Sequence, residues 1–274
     1  MKNRSRFITS MAVLFVLIVV SILLYAVRRP NAAQTSAFSR LTLKMASTKE
    51  DFVELEPIPI ILNLRNDTNQ TILGHSALNF SNNFVKLFIV QENGQTQEIQ
   101  NLTPVTANTA ASPKKIEPGE NLEEKQVLAF HLDKTFPVPG DYRIQAVLYD
   151  PEWTREVKSN VLTIRIFQPE GLDLEALKYI KSLAASSYFF SGVGFASTEK
   201  ARSVLEEFNA RFGETVYGDY ANFLLGEHYF YDKKYKRAST HFSLLADKTS
   251  FVFADKAKKY LEKIKREGTA SETP

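Results

Sequence analysis

Few side chains in this sequence fall at the spacings that catalysis or metal binding requires. The chain has four histidines, His75, His131, His228 and His241. They form no His-Glu-x-x-His pattern, so no metal site is predicted. The run Ser191–Ser197 contains Gly192 and Gly194 but lies between predicted helices, whereas a phosphate-binding Gly-x-Gly-x-x-Gly turn follows a strand. Since no Gly-x-Ser-x-Gly motif occurs either, we expect a protein that is not an enzyme and that needs no cofactor.

Two carboxylates and one tryptophan also carry groups that could bind a ligand. Glu54 and Glu56 stand two residues apart, so period two places both on one face of a strand, where edge carboxylates are ordinarily solvated. Trp153, the only tryptophan, lies in the turn between the last two predicted strands. Its ring either closes one end of the strand region or is exposed as an anchor for a partner. Both alternatives stay open at this point.

Composition and charge limit the classes of protein to which this chain can belong. The 274 residues are 44% hydrophobic and 24% charged, as in an ordinary globular chain. Residues 1–29 hold five of the 34 basic side chains and no acidic one, which leaves 29 basic against 31 acidic side chains and a charge of −2 for the remainder. We therefore expect no nucleic-acid partner. The absence of cysteine fits a bacterial protein.

The most apolar stretch runs from Phe7 to Val27 without a charge, a proline or a glycine. As a helix it would be about 31 Å long, which matches the hydrocarbon core of a bilayer. Basic residues stand on both sides of it. The pattern predicts an uncleaved membrane anchor over residues 1–29, a linker over residues 30–37, and a periplasmic or cell-surface location for the rest.

From residue 38 to residue 168 the hydrophobic period is two, which predicts about seven strands in two packed sheets. Asn93-Gly94 signals a hairpin turn. Tyr142 follows Pro139-Gly140 and opens a strand, and this arrangement resembles the tyrosine corner of immunoglobulin-like and fibronectin type III-like sandwiches. The resemblance implies a β-sandwich in which the tyrosine hydroxyl bonds to nearby backbone.

From residue 169 to residue 266 the period changes to 3.6, which predicts helices, and residues 267–274 are expected to form a disordered tail. Leu225-Gly226, Tyr229, Ala238 and Phe242 fall at the spacing of a tetratricopeptide repeat. Asn222 stands where the repeat has tryptophan. The resemblance implies an all-α domain of helical hairpins, in which Gly226 lets two helices approach closely.

The repeat resemblance also implies a binding groove lined by helix residues outside the Leu-Gly-x-x-Tyr core. Carried over to this chain, those positions are Tyr220, Phe223, Glu227, Phe230 and Tyr231. An aromatic groove with one carboxylate suits an extended peptide or a partner's helix. The alternative is that these aromatic side chains pack against neighbouring helices and that no groove exists.

The expected fold class is therefore a transmembrane helix, an all-β immunoglobulin-like sandwich and all-α tetratricopeptide-like hairpins. The expected function is a non-enzymatic, membrane-anchored scaffold that holds a protein partner, as an accessory subunit of an envelope or membrane complex. One alternative is a carbohydrate- or proteinase-binding sandwich supported by the helices. The other is an enzyme whose site is not visible as a motif, which clustered and perturbed pKa values in a cleft would indicate.

Overall fold

The computed structural model describes residues 37–80, 84–99, 112–128, 135–182 and 199–271. The predicted anchor and residues 30–36 of the predicted linker lie outside these ranges, as do residues 272–274 of the predicted tail. Among the helices that the structure describes, none combines the length and the apolar character needed to cross a bilayer. The described helices therefore give no support to the predicted transmembrane helix or to the membrane-anchored, extracytoplasmic location that depended on it.

The described strands follow a short 3-10 helix at Phe38–Arg40. They are β1 (Thr42–Ala46), β2 (Asp51–Val53), β3 (Ile58–Arg65), β4 (Ile72–His75), β5 (Val85–Val90), β6 (Thr96–Glu98), β7 (Pro113–Ile116), β8 (Asn121–Leu128), β9 (Gly140–Tyr149) and β10 (Glu156–Phe167). β1, β3 and β8 form one antiparallel sheet. A second sheet has the order β2-β10-β9-β5-β6, with β2 parallel to β10, and β4 pairs with β7 in a small third sheet.

The two larger sheets enclose a common core because alternate residues of each strand are apolar. Leu43, Leu62 and Leu64 on the first sheet and Leu87 and Ile144 on the second are buried and belong to one hydrophobic cluster. The chain thus contains a β-sandwich module.

Hydrogen bonds from side chains to the backbone stabilise the sandwich outside the regular strand pairing. The Tyr142 hydroxyl donates to the carbonyl oxygen of Val138 at 2.5 Å, which confirms the predicted tyrosine–backbone bond. β10 carries a bulge between Lys158 and Val161. The Asn160 amide in this bulge accepts from the Met45 N–H at 2.8 Å and donates to the Met45 carbonyl at 3.0 Å. This side chain therefore occupies the outer edge of β1 as a partner strand would.

Five helices are described in the second half of the chain. They are α1 (Gly171–Ser182), α2 (Glu199–Phe212), α3 (Val216–Tyr231), α4 (Tyr235–Ser243) and α5 (Ala254–Ser271). Thr215 caps α3 by accepting from the Gly218 N–H at 3.0 Å. α3 packs against α1, α2 and α4, while α4 packs against α5.

The helices join the sandwich through a buried turn after β2. Leu55 has a positive φ of 63° and lies between Glu54 and Glu56, which are both buried. The Tyr217 hydroxyl donates to the Glu54 carbonyl at 2.5 Å, and Lys181 lies 2.5 Å from the Glu54 carboxylate. The expectation that these carboxylates are solvated is wrong, because helices α1 and α3 cover the turn.

The predicted fold class is wrong, because the described helices do not form a separate all-α repeat domain. Tetratricopeptide repeats stack so that each repeat contacts only its neighbours, and several repeats are needed for stability. Here the five described helices share one hydrophobic cluster with the sheets, and α3 is buried over most of its circumference. A helix that is apolar all round is a core helix and not one wall of a groove. The described chain is therefore a mixed α and β structure without an all-α repeat domain.

Candidate functional site

Three of the five residues predicted to line a groove are buried inside the helical region. Tyr220 and Phe223 contact Phe251 and Phe253 edge-on or face-on, with ring centroids 4.8 to 6.1 Å apart. Glu227 is 2% exposed. The described side chains thus match the alternative in which the aromatic residues pack against neighbouring helices.

The remaining space beside Glu227 is taken by the chain's own helix α5. The Glu227 carboxylate accepts from the Tyr260 hydroxyl at 2.9 Å and lies 2.8 Å from the Lys256 ammonium nitrogen. Burial and the nearby Glu227 carboxylate raise the pKa of Tyr260. Phe230 is half-buried, and only Tyr231 of the five is exposed, at 60%. Partner binding by these residues stays a prediction.

The two described histidines of the helical region both lie beside the ring of Tyr229. The His241 ring stacks on the Tyr229 ring at 5.5 Å, and Nδ1 of His241 lies 2.9 Å from Oδ1 of Asn222. Nε2 of His228 lies 3.2 Å from the Arg202 guanidinium. Each histidine is thus held by hydrogen bonds within the helices, and no group of three or more histidine, aspartate or glutamate residues in the described chain is placed to hold a metal ion.

A different set of residues forms the most exposed aromatic feature of the sandwich. We define the aromatic surface as Phe84, Lys86, Tyr149 and Trp153. The Trp153 ring lies 5.1 Å from the Tyr149 ring, nearly parallel to it, and 5.3 Å from the Phe84 ring. The Lys86 ammonium lies 5.9 Å from the centre of the Trp153 ring and 6.0 Å from that of Tyr149, within cation–π range. Trp153 is nevertheless 47% exposed.

The turn that carries Trp153 is organised by one aspartate. The Asp150 carboxylate accepts from the Thr154 N–H at 2.7 Å, from the Thr154 hydroxyl at 2.9 Å and from the Arg155 N–H at 3.2 Å. The Trp153 N–H donates to the Asp150 carbonyl at 3.0 Å. Trp153 itself has a positive φ of 58°, a conformation that costs a non-glycine residue about 1–2 kcal/mol. The turn holds the ring outward in spite of that cost.

The outer faces of the two larger sheets differ in chemistry. On the β1-β3-β8 sheet, an open depression of about 500 Å³ is lined by polar residues, including Lys44, Asn63 and Arg65. On the five-stranded sheet, Phe88 faces outward beside Lys86 and is half-buried, and Val147 on the same face is only 4% exposed. The aromatic surface therefore continues into an outer face on which the half-buried Phe88 lies among polar side chains such as Gln145 and Arg143.

A polar rim borders the aromatic surface on the side of β6. Lys86 on β5 forms an ion pair with Glu98 at 3.0 Å, and both side chains are about one-third exposed. Arg143 lies farther along the same outer face and is exposed. Hydrogen-bonding and charged groups thus surround the exposed ring, as in the rim of a binding site.

Sequence reasoning singled out Trp153 but missed its neighbours. Phe84 and Lys86 are 69 and 67 residues away from Trp153 along the chain, and only the β5–β9 pairing brings them to the same place. Tyr149 could have been found, because Asp150-Pro151 predicts a tight turn that returns Trp153 towards it. His75 lies beneath Phe84 with ring centroids 3.8 Å apart, and no local pattern indicated this contact.

Comparisons with known proteins do not identify a family for this chain. No family model matches it, and no curated protein matches it. Solved structures of low similarity include the sporulation control protein Spo0M from Bacillus subtilis, at 11% identity and a TM-score of 0.29 over 52% of this chain and 55% of that one. The CARDB domain of the PF1109 protein from Pyrococcus furiosus, in complex with di-metal ions, has 12% identity and a TM-score of 0.29 over 47% of this chain and 94% of that one.

A β-glucosidase from Listeria innocua in complex with glucose has 12% identity and a TM-score of 0.28, over 46% of this chain and 16% of that one. The chain thus spans about one-sixth of the β-glucosidases it matches. At these TM-scores the similarities assign neither a fold family nor a function. The predicted membership among membrane-anchored proteins with tetratricopeptide-like helices is wrong, since the described chain has mixed sheets with five helices and no such repeat domain.

Proposed function

We propose that this chain is a non-catalytic binding module that holds a protein partner on the aromatic surface, as an accessory subunit of a larger complex. The observation that carries the proposal is the exposed ring of Trp153 on a strained and heavily hydrogen-bonded turn. A large aromatic side chain kept in solvent at a conformational cost is typical of a binding residue.

Preorganisation supports the same proposal. Tyr149 and Phe84 fix the Trp153 ring from two sides, and the Asp150 carboxylate fixes the backbone beneath it. Little side-chain entropy would then be lost when a partner covers the ring. The half-buried Phe88 and the Lys86–Glu98 pair extend the surface with apolar and polar contacts, which is the composition of a protein interface.

A carbohydrate ligand is the second candidate, in line with the alternative drawn from the sequence. One face of an exposed indole ring can stack on the C–H groups of a sugar ring. Lys86 and Glu98, which lie at its edge, can bond to neighbouring hydroxyl groups. The observation that favours this ligand is that Trp153 is exposed while Phe84, Lys86 and Tyr149 are half-buried, so one ring rather than a wide surface faces the solvent.

The proposal is tested by capturing partners from an extract of the source cells with the full-length chain and with two variants. Trp153→Ala removes the exposed ring. Phe167→Ala is the matched control, because Phe167 is also exposed, at 42%, and lies at the opposite end of β10. We expect a stoichiometric protein that wild type and Phe167→Ala retain and that Trp153→Ala loses at least tenfold. A partner held equally by all three proteins would overturn the proposal.

Two further experiments test the helical groove and the carbohydrate ligand as alternatives to a protein partner on the aromatic surface. Tyr231→Ala tests the predicted helical groove, and a partner lost with this variant alone would move the site to the helices. Titration of soluble oligosaccharides against the fluorescence of Trp153, the only tryptophan, tests the carbohydrate candidate. Turnover of any bound ligand would contradict the non-catalytic character of the proposal.

A further inference from the structure

A buried histidine supports the aromatic surface from below. His75 is the last residue of β4 and is 1% exposed. Its ring stacks on Phe84 at 3.8 Å, and Phe84 in turn contacts Trp153. Nε2 of His75 lies 3.0 Å from the Tyr149 carbonyl oxygen. One imidazole therefore touches or bonds to two of the four residues of the aromatic surface and joins the small β4–β7 sheet to β9.

The hydrogen bond determines which nitrogen carries the proton. A carbonyl oxygen only accepts, so Nε2 is the donor and Nδ1 holds the lone pair in the neutral ring. Nδ1 is buried and has no hydrogen-bond partner in the described part of the chain. A second proton at Nδ1 would thus place a charge and an unpaired donor in the interior, which requires water or a new acceptor to reach the ring.

The charged groups around His75 do not offset this cost. From the end of β9, the Asp150 carboxylate favours the protonated ring, but its oxygens already accept three hydrogen bonds. β5 contributes Lys86, which pairs with Glu98. β7 carries Lys114, which pairs with Glu120, and Lys115. Arg40 lies in the 3-10 helix, and Arg155 follows the Trp153 turn. Asp150 is the charged group that acts on His75, and desolvation outweighs it and lowers the pKa of His75 below 6.5.

We propose that protonation of His75 separates β4 from the Phe84 ring and so releases Trp153 from its fixed position, which makes the aromatic surface competent at neutral pH and disordered in mild acid. This inference rests on the proposed function where it concerns partner binding. The structural part of the inference does not rest on the proposed function, because the fluorescence of Trp153 reports on the surroundings of its ring without a partner.

The test follows the fluorescence of Trp153 in the full-length chain between about pH 8 and about pH 5. That window lies above the range in which ordinary aspartate and glutamate side chains, with pKa values of about 4, are protonated. We expect an emission change with a midpoint below 6.5, together with a rise of about twofold or more in quenching by acrylamide. His75→Gln, whose amide N–H can still donate to the Tyr149 carbonyl, should abolish the transition.

His241→Gln is the matched control, since burial also lowers the pKa of His241 but the residue lies in the helical region. This variant should keep the wild-type transition. An emission profile that is flat in wild type, or that titrates identically in wild type and His75→Gln, would overturn the inference while leaving the proposed function standing.

If His75→Gln does not fold, nuclear magnetic resonance on the wild type decides. The histidine ring proton that shows an Overhauser contact to the Phe84 ring must titrate with the same midpoint as the Trp153 emission. Different midpoints would overturn the inference. Once a partner is known, its binding should weaken by about tenfold for each pH unit below the midpoint.

Discussion

The ammonium nitrogen of Lys256 on α5 lies 2.8 Å from the buried carboxylate of Glu227 on α3. The same nitrogen lies 5.1 Å from the centre of the Phe223 ring and 6.0 Å from the centre of the Tyr260 ring. A helix from the same chain thus supplies the cation that a partner would bring to a groove. This pair makes α5 part of the helical core.

Lys256→Met should lower the free energy of unfolding by about 2 kcal/mol, because it leaves the Glu227 carboxylate buried with one charged partner fewer. Urea unfolding followed by circular dichroism measures the change. Lys258→Met, on the exposed side of the same helix, should alter it by less than about 0.5 kcal/mol. Equal effects of the two substitutions would show that the buried pair has no special role.

Trp153→Gly and Trp153→Ala should separate backbone strain from ring packing. Both remove the contacts with Tyr149 and Phe84, but only glycine relieves the positive φ of 58°. We therefore expect the glycine variant to be about 1 kcal/mol more stable than the alanine variant, with partner binding lost in both. Thermal unfolding measures the difference in stability between the two variants. A glycine variant less stable than the alanine variant would show that the positive φ of Trp153 does not strain the backbone.

Gly226→Ala should destabilise the chain although alanine is the better helix former. A Cβ atom at this position would lie 2.7 Å from Cε1 of Phe242. Overpacking of this kind costs about 1–3 kcal/mol. Phe242→Leu in the same chain should restore part of the loss, as a double-mutant cycle would show, and strictly additive effects would argue against the contact.

Tyr217→Phe should weaken the junction between the helices and the sandwich. The hydroxyl donates to the Glu54 carbonyl at 2.5 Å, and burial raises the pKa of this buried tyrosine. Loss of that bond should cost about 1–2 kcal/mol. Hydrogen exchange should then quicken in the turn after β2 and at the start of α3. Faster exchange spread evenly over all helices would contradict this location.

Stability should fall as the pH is lowered from neutral. Burial lowers the pKa of both His75 and His241 below 6.5 in the folded chain, so below that pH the unfolded chain binds more protons. The stabilisation that comes from keeping the two histidines neutral is complete above pH 6.5. It is lost as the pH falls through the folded-state pKa values. Urea midpoints at about pH 7.5, 6 and 5 measure it, and His75→Gln should flatten the decline.

Local sequence determined the features that depend on neighbouring residues alone. Alternation of apolar side chains predicted the strand regions, and Tyr142 bonds to backbone four residues away as expected. Gly226 lies against Phe242 as the helix spacing implied. These relations hold because period two, period 3.6 and short turns act over a few residues.

Only the tertiary structure decided how those elements combine. The predicted groove residues Tyr220, Phe223 and Glu227 are buried because helix α5 and the segment just before it pack against α3. The spacing of residues along α3 does not reveal which of its faces become covered. Trp153 is supported by Phe84, Lys86 and His75, which β5 and β4 bring from distant parts of the chain. The sequence therefore determined the elements and single contacts, while long-range strand pairing and helix packing decided which surface is left exposed for binding.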